Sequence, residues 1–296
     1  MKMGVFILSL FVVAFAMVGK TKASIGGVEI KVSNTGCLMI MEFTRSDIAN
    51  RTDVHYTISG TNVHVTGVAT MKSGQGTKSA EYSPYETFTM DLTVTFTIYT
   101  DGGPLSESHQ ITLPKCVHIL HDPHIMTFDG RRYTYNGLCW HTLVVDCTDE
   151  APRFEILGKF EPRDPIDREV RTRTTDVTVI IGGQVIEMDA SNNVKVNGRT
   201  APPTVELVDG EMAVAVDNTI RSYTVVSIKD IITLIWKGGE HAFKAALDED
   251  SQVPLCGLLG NADGDATNDL IMRNGRITKD IVEFGNSWRV DKLRCD

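Results

Sequence analysis

Between residues 89 and 98 the chain alternates without a break: Met90, Leu92, Val94, Phe96 and Ile98 are apolar, and Thr89, Asp91, Thr93, Thr95 and Thr97 stand between them. A period of two puts the first set on one face of a pleated strand and the second on the other, which predicts a half-buried antiparallel strand. Residues 28–113 share this rhythm, with turns expected at Ser59-Gly60, Ser73-Gly74 and Asp101-Gly102-Gly103. Short strands punctuated in this way predict a β-sandwich. The rhythm resumes at Val177, Val179 and Ile181, then a Gly182-Gly183 turn, then Val185, Ile186 and Met188. Further strands are expected at 194–196, 205–207, 212–216, 223–228 and 231–236, with Gly198, Asp209-Gly210 and Gly238-Gly239 as turns. No helical periodicity exceeds two turns, and residues 242–247 are the strongest helical candidate. The charged, apolar-poor segment 163–175 reads as an exposed connection.

The first residues follow another pattern. Met1-Lys2-Met3 precede an apolar run from residue 4 to residue 18, and small residues follow at Thr21 and Ala23. A basic start, an apolar stretch too short for a bilayer and small residues at the cut predict a secretory signal, with cleavage expected after Ala23. The expected organisation is a signal peptide at 1–23, a β-sandwich at 24–115 and a second β domain at 116–296. No other stretch is apolar for long enough to span a membrane. Loss of Lys2, Lys20 and Lys22 takes the basic residues from 29 to 26 against 38 acidic ones, and the net charge from -9 to -12. That balance argues against nucleic acid and anionic membranes as partners and favours cations such as calcium.

The six cysteines are Cys37, Cys116, Cys139, Cys147, Cys256 and Cys295. An even count in an exported chain points to three disulfides, although count alone leaves fifteen pairings open. No Cys-x-x-Cys pair supports a zinc or dithiol site. The sequon Asn50-Arg51-Thr52 makes Asn50 an expected N-glycosylation site.

The segment His121-Asp122-Pro123-His124-Ile125-Met126-Thr127-Phe128-Asp129-Gly130 resembles the opening of a von Willebrand factor type D domain, which commonly reads Gly-Asp-Pro-His and then Thr-Phe-Asp-Gly. The resemblance continues through Tyr133, Gly137 and Cys139. It resumes at Cys256-Gly257-Leu258-Leu259-Gly260-Asn261, Asp263-Gly264, Asn268-Asp269-Leu270 and Phe284-Gly285-Asn286-Ser287-Trp288. It spans roughly residues 116–295 and implies an all-β domain with short helical segments near its C-terminus. Two departures stand out: Leu259 replaces a family cysteine and His121 replaces a glycine. The resemblance implies bridges Cys139 to Cys295 and Cys147 to Cys256. With the family partner of Cys116 missing, it further implies Cys37 to Cys116, the alternative being a Cys37 that is free or joined to another chain.

Oxygen-bearing side chains crowd the segment Asn261-Ala262-Asp263-Gly264-Asp265-Ala266-Thr267-Asn268-Asp269, as a hard divalent cation requires. It is not an EF-hand, since Met272 stands twelfth from Asn261 and Ala266 stands sixth. The family likeness implies a structural calcium ion held by Asp129, Asn261, Asp263, Asn268 and Asp269, with the Ala266 carbonyl as a further candidate. It also implies a candidate self-cleavage at Asp122-Pro123, where His121 and His124 could supply protons. The replaced glycine at 121 counts against it.

These features predict a secreted, non-enzymatic interaction or matrix protein with an extracellular protein or matrix partner. A monomer or small oligomer is expected, because polymerising members of the family carry further cysteine-rich modules after this domain. The alternatives are a luciferase-like or other oxidative enzyme, on the analogy of ostracod luciferases, and a growth-factor-binding regulator. No Ser/His/Asp or Cys/His set supports catalysis. Without the expected signal at 1–23, 92 residues (24–115) precede Cys116, too few for the lipid-holding module of vitellogenin-like proteins.

Overall fold

A computed structural model describes residues 20–84, 89–121, 123–148, 151–164, 171–209, 212–220 and 222–290. Among the described residues, the N-terminal unit has eight strands: β1 (Lys20–Ile25), β2 (Val28–Thr35), β3 (Leu38–Arg45), β4 (Thr52–Gly60), β5 (Val63–Met71), β6 (Thr77–Tyr82), β7 (Met90–Thr100) and β8 (Gly103–Leu113). They form two antiparallel sheets, β1-β2-β3-β6 and β5-β4-β7-β8. The predicted alternation holds in β7, where Met90, Leu92, Val94, Phe96 and Ile98 are buried in the core between these sheets. Its other face is a ladder of hydroxyl and amide pairs with β8, Thr95 to Ser108 and Thr97 to Ser106 at 2.8 Å and Gln110 to Thr93 at 3.0 Å. Polar groups satisfied across the strands keep that face compatible with water.

Fifteen strands follow among the described residues. The first eight are β9 (Val117–Leu120), β10 (His124–Met126), β11 (Arg132–Thr134), β12 (Cys139–Asp146), β13 (Phe154–Pro162), β14 (Thr172–Ile181), β15 (Gln184–Met188) and β16 (Val194–Val196). The remainder are β17 (Arg199–Thr200), β18 (Thr204–Asp209), β19 (Met212–Asp217), β20 (Thr224–Ile228), β21 (Ile232–Lys237), β22 (Ala242–Leu247) and β23 (Leu255–Cys256), and α1 (Ile281–Ser287) closes the described chain. Two antiparallel sheets result, β11-β10-β9-β22-β21-β20-β19-β18 and β17-β16-β15-β14-β13-β12-β23. Their facing sides enclose a second core that includes Phe154, Phe160, Trp236, Phe243, Phe284 and Trp288.

The two units share a third, smaller core. β3 sends Met39, Met41 and Phe43 inward but turns Leu38 and Ile40 toward Val225, Ile235 and Ala246 of the second unit. The Cys37–Cys116 bridge lies in this cluster. Lys244 of β22, also buried, donates to the Ser83 carbonyl and hydroxyl at 3.1 and 2.8 Å and to the Pro84 carbonyl at 2.7 Å. Gly36 (φ +48°) lies so near Thr233 of β21 that a Cβ would sit 2.9 Å from its methyl carbon. A close backbone approach therefore explains a glycine here.

Three sequence-based expectations need correction. Residues 242–247 are strand β22, not helix. With β21 on one side and β9 on the other, and five of its six residues buried, the strand is covered on both faces and shows no alternation. Tertiary pairing overrides the helical preference of its alanines. Within 163–175, residues from Thr172 onward belong to β14, and Thr172 and Thr174 are fully buried, because β-branched threonines suit a pleated surface. The turn expected at Ser59-Gly60 lies two residues later, with both residues inside β4 and Asn62 taking φ +61°. The short C-terminal helix is present as α1, whose N-cap Asp280 accepts from the Val282 and Glu283 amides at 2.8 and 3.0 Å.

Candidate functional site

Asn261, Asp263, Asn268 and Asp269 sit in the loop after β23, and Asp129 sits between β10 and β11. The fold brings all five together. Asp129 accepts the backbone amides of Asp263 and Gly264 at 3.1 and 2.9 Å, which fastens the loop to the first motif. The Asn261 amide donates to Asp263 at 2.8 Å and to Asn268 at 3.1 Å, and the Asn268 amide donates to Asp263 at 2.7 Å. These amides, Asn268 first, hold the Asp263 carboxyl below the usual carboxylate range.

Asp269 is different. Its residue is 1% exposed, and one carboxylate oxygen accepts from the Thr127 hydroxyl at 2.6 Å. Among the described residues the other, Oδ1, has no hydrogen-bond partner, and neither has the buried Oδ1 of Asn261. Burial pushes the Asp269 carboxyl up to about 6, against the Thr127 hydrogen bond, and the charge of Asp129 adds to the rise. Buried oxygens without donors and neighbouring carboxylates are costly together unless a positive charge joins them. Among the described residues, no three His, Cys, Asp or Glu side chains form a metal cage by themselves. The donor set here is mixed, with two amides among five side chains, and such oxygens fit a hard cation like calcium.

Three contributors escaped the sequence reading. Thr127 orients Asp269 from 142 positions away. Gly260 (φ +83°) is needed because a Cβ there would collide with Asp269 Oδ1. Arg131 reaches the Ala266 carbonyl at 3.4 Å. Thr127 and Arg131 meet the loop only across the fold, whereas Gly260 directly precedes it in the chain. Asp265 serves its own turn, accepting the Thr267 amide and hydroxyl at 2.9 and 2.7 Å.

The bridges Cys37–Cys116 and Cys147–Cys256 are formed. Cys139 is also disulfide-bonded, while Cys295 lies outside the described residues. Leu259, at the position of the family cysteine, is fully buried in the second core. Asp122 lies outside the described residues; Pro123 is buried and His121 takes φ +52°, a conformation that favours glycine. His124 is exposed and shares a 2.9 Å hydrogen bond with Thr134. Asn50 is exposed between β3 and β4. Of the expected signal peptide, residues 1–19 lie outside the described residues, and Lys20, Thr21, Lys22 and Ala23 belong to β1.

A two-sheet domain whose acidic turn is fastened to an Asp-Gly motif between its opening strands defines the class of this protein. The family model for the von Willebrand factor type D domain matches residues 118–276, more than half of the chain, and the chain belongs to that family. Human mucin-19 is 26% identical over 185 residues, covering 60% of this chain and 2% of the mucin. The human IgGFc-binding protein is 30% identical over 189 residues, covering 57% of this chain and 3% of that protein. SCO-spondin of Gallus gallus is 30% identical over 173 residues, covering 58% of this chain and 3% of its own length. The chain thus corresponds to a small part of each relative.

Proposed function

We propose that this protein is a secreted, non-enzymatic extracellular module that presents its surface to a protein or matrix partner, with the type D domain held by a structural calcium ion. The observation that carries the calcium reading is the buried, partnerless Oδ1 of Asp269 beside the Asp129 carboxylate. Asp129, Asn261, Asp263, Asn268 and Asp269 would hold the ion, which would supply positive charge and tie the loop to the β10–β11 connection. Family membership and likeness to mucin-19 and SCO-spondin support the extracellular role. Among the described residues no helix is long and apolar enough to cross a membrane. Exposure of Asn50 supports its use as a glycan site, read as a loss of mass on N-glycosidase treatment.

Calcium titration followed by thermal unfolding tests the metal reading. Millimolar calcium is expected to raise the melting temperature of the wild type and to leave Asp269→Asn nearly unmoved. A wild-type melting curve indifferent to both calcium and chelator would sink it. Affinity capture from the extracellular fluid of the source, with mass-spectrometric identification, tests the partner; finding only intracellular proteins there would count against the role.

A further inference from the structure

The expected leader cleavage after Ala23 conflicts with the N-terminal sandwich. β1 and β2 are a two-residue hairpin, paired in register from Ile25↔Val28 to Lys20↔Ser33. The connecting Gly26 and Gly27 take φ +52° and +77°, the signs that a type I′ turn demands at both central positions. Such a turn is built to pair two strands, yet cleavage after Ala23 would leave only Ser24 and Ile25 ahead of it.

The side chains of β1 alternate as a sandwich strand should. Lys20, Lys22 and Ser24 are exposed, Ala23 is 7% exposed within the first core, and Ile25 packs against that core. Lys22 pairs with Glu29 across the hairpin at 2.9 Å. β1 also packs against β8 of the facing sheet, so it covers one margin of the sandwich. The basic residues that resemble a polar end to the leader are thus the solvent face of a strand.

We propose that the leader is removed between Ala16 and Met17, so that β1 is the first strand of the exported protein. This rests on the export reading above. Ala14-Phe15-Ala16 has small residues at the two positions a leader peptidase reads, and it follows the apolar run directly, with ten residues at positions 4–13 between Met3 and Ala14. Hydrolysis of the Ala16–Met17 amide consumes one water and leaves a carboxylate on Ala16 and a free amine on Met17. Met17, Val18 and Gly19 then precede the strand.

N-terminal sequencing and intact mass of the full chain, secreted from a eukaryotic host under its own leader, test the site. The expected first residue is Met17, and Ala16→Leu is expected to abolish that terminus. Any other first residue in the wild-type secreted material overturns the assignment, and one beyond Lys20 also removes β1 from the exported fold. Secreted material starting at Ser24 would leave the export reading intact, whereas a chain retained in the cell with Met1 in place would overturn both. Two further forms, started at Met17 and at Ser24 behind a foreign leader, test the structural ground. The Ser24 form is expected to melt lower by about 3 °C or more, and equal melting would overturn the argument from β1.

Discussion

Thr127 shows how much of the candidate site depends on one hydroxyl. It donates to Asp269 at 2.6 Å in a buried setting and accepts the Arg131 amide at 2.8 Å, so it couples the loop to the first motif. Thr127→Val keeps the shape and removes both interactions. The expected cost is about 1–3 kcal/mol in urea unfolding, together with weaker calcium stabilisation, since a charged buried acceptor loses its donor. A variant as stable as wild type with an undiminished calcium response would show that Thr127 positions nothing. At this scale the acidic loop was legible because Asp, Asn and Gly cluster locally. Thr127 was not legible as a partner of Asp269, because its hydroxyl acquires meaning only when distant segments meet, and Gly260, though in the same loop, shows nothing in sequence of the carboxylate its missing Cβ makes room for.

Among the elements, α1 sets local preference against packing. Gly285 lies within it, and a Cβ there would overlap the Tyr135 ring, whose hydroxyl is hydrogen-bonded to His141 and to Asn286 at 2.9 Å. Helix propensity alone favours Gly285→Ala by up to about 1 kcal/mol. Overpacking against the ring predicts the opposite sign, a loss of about 1–3 kcal/mol in denaturant unfolding. A stabilised variant would mean that α1 can shift freely on Tyr135. The same contest explains which elements could be read from sequence. β7 has one wet face and one dry face, so its period of two is visible. β22 is dry on both faces, and a run of alanines around Phe243 and Lys244 carries no period to read. The β1–β2 hairpin is hidden differently: its first strand follows the apolar run at 4–18, and in sequence its Lys-x-Lys alternation reads as the end of the expected leader.

At the scale of the whole molecule, the two units meet around a buried lysine, Lys244, which donates to Ser83 and Pro84. Burial pushes Lys244 down to about 8 from the ordinary 10.5. Between those values the unfolded chain holds a proton that the folded chain has released. The contribution of Lys244 to stability is therefore lowest below pH 8 and rises as pH climbs toward 10.5. Lys244→Met removes this slope. Wild type is expected to gain on the variant by a few kcal/mol at most across that window, as measured by denaturant unfolding at stepped pH. Parallel curves for the two proteins would mean that the ammonium group is well solvated. The seam between the two units was not legible in the sequence, since Leu38, Ile40 and Val225 look like any other core residues.

The Cys37–Cys116 bridge also has a mechanical consequence. Tension applied to the ends of this protein would run through the sulfur link and skip the intervening chain. The 79-position separation corresponds to roughly 270 Å of extensible length that stays coiled while the link is whole. Reducing the link would let that slack out, so a stretched tether would lengthen in one step only after a thiol reagent had reached it.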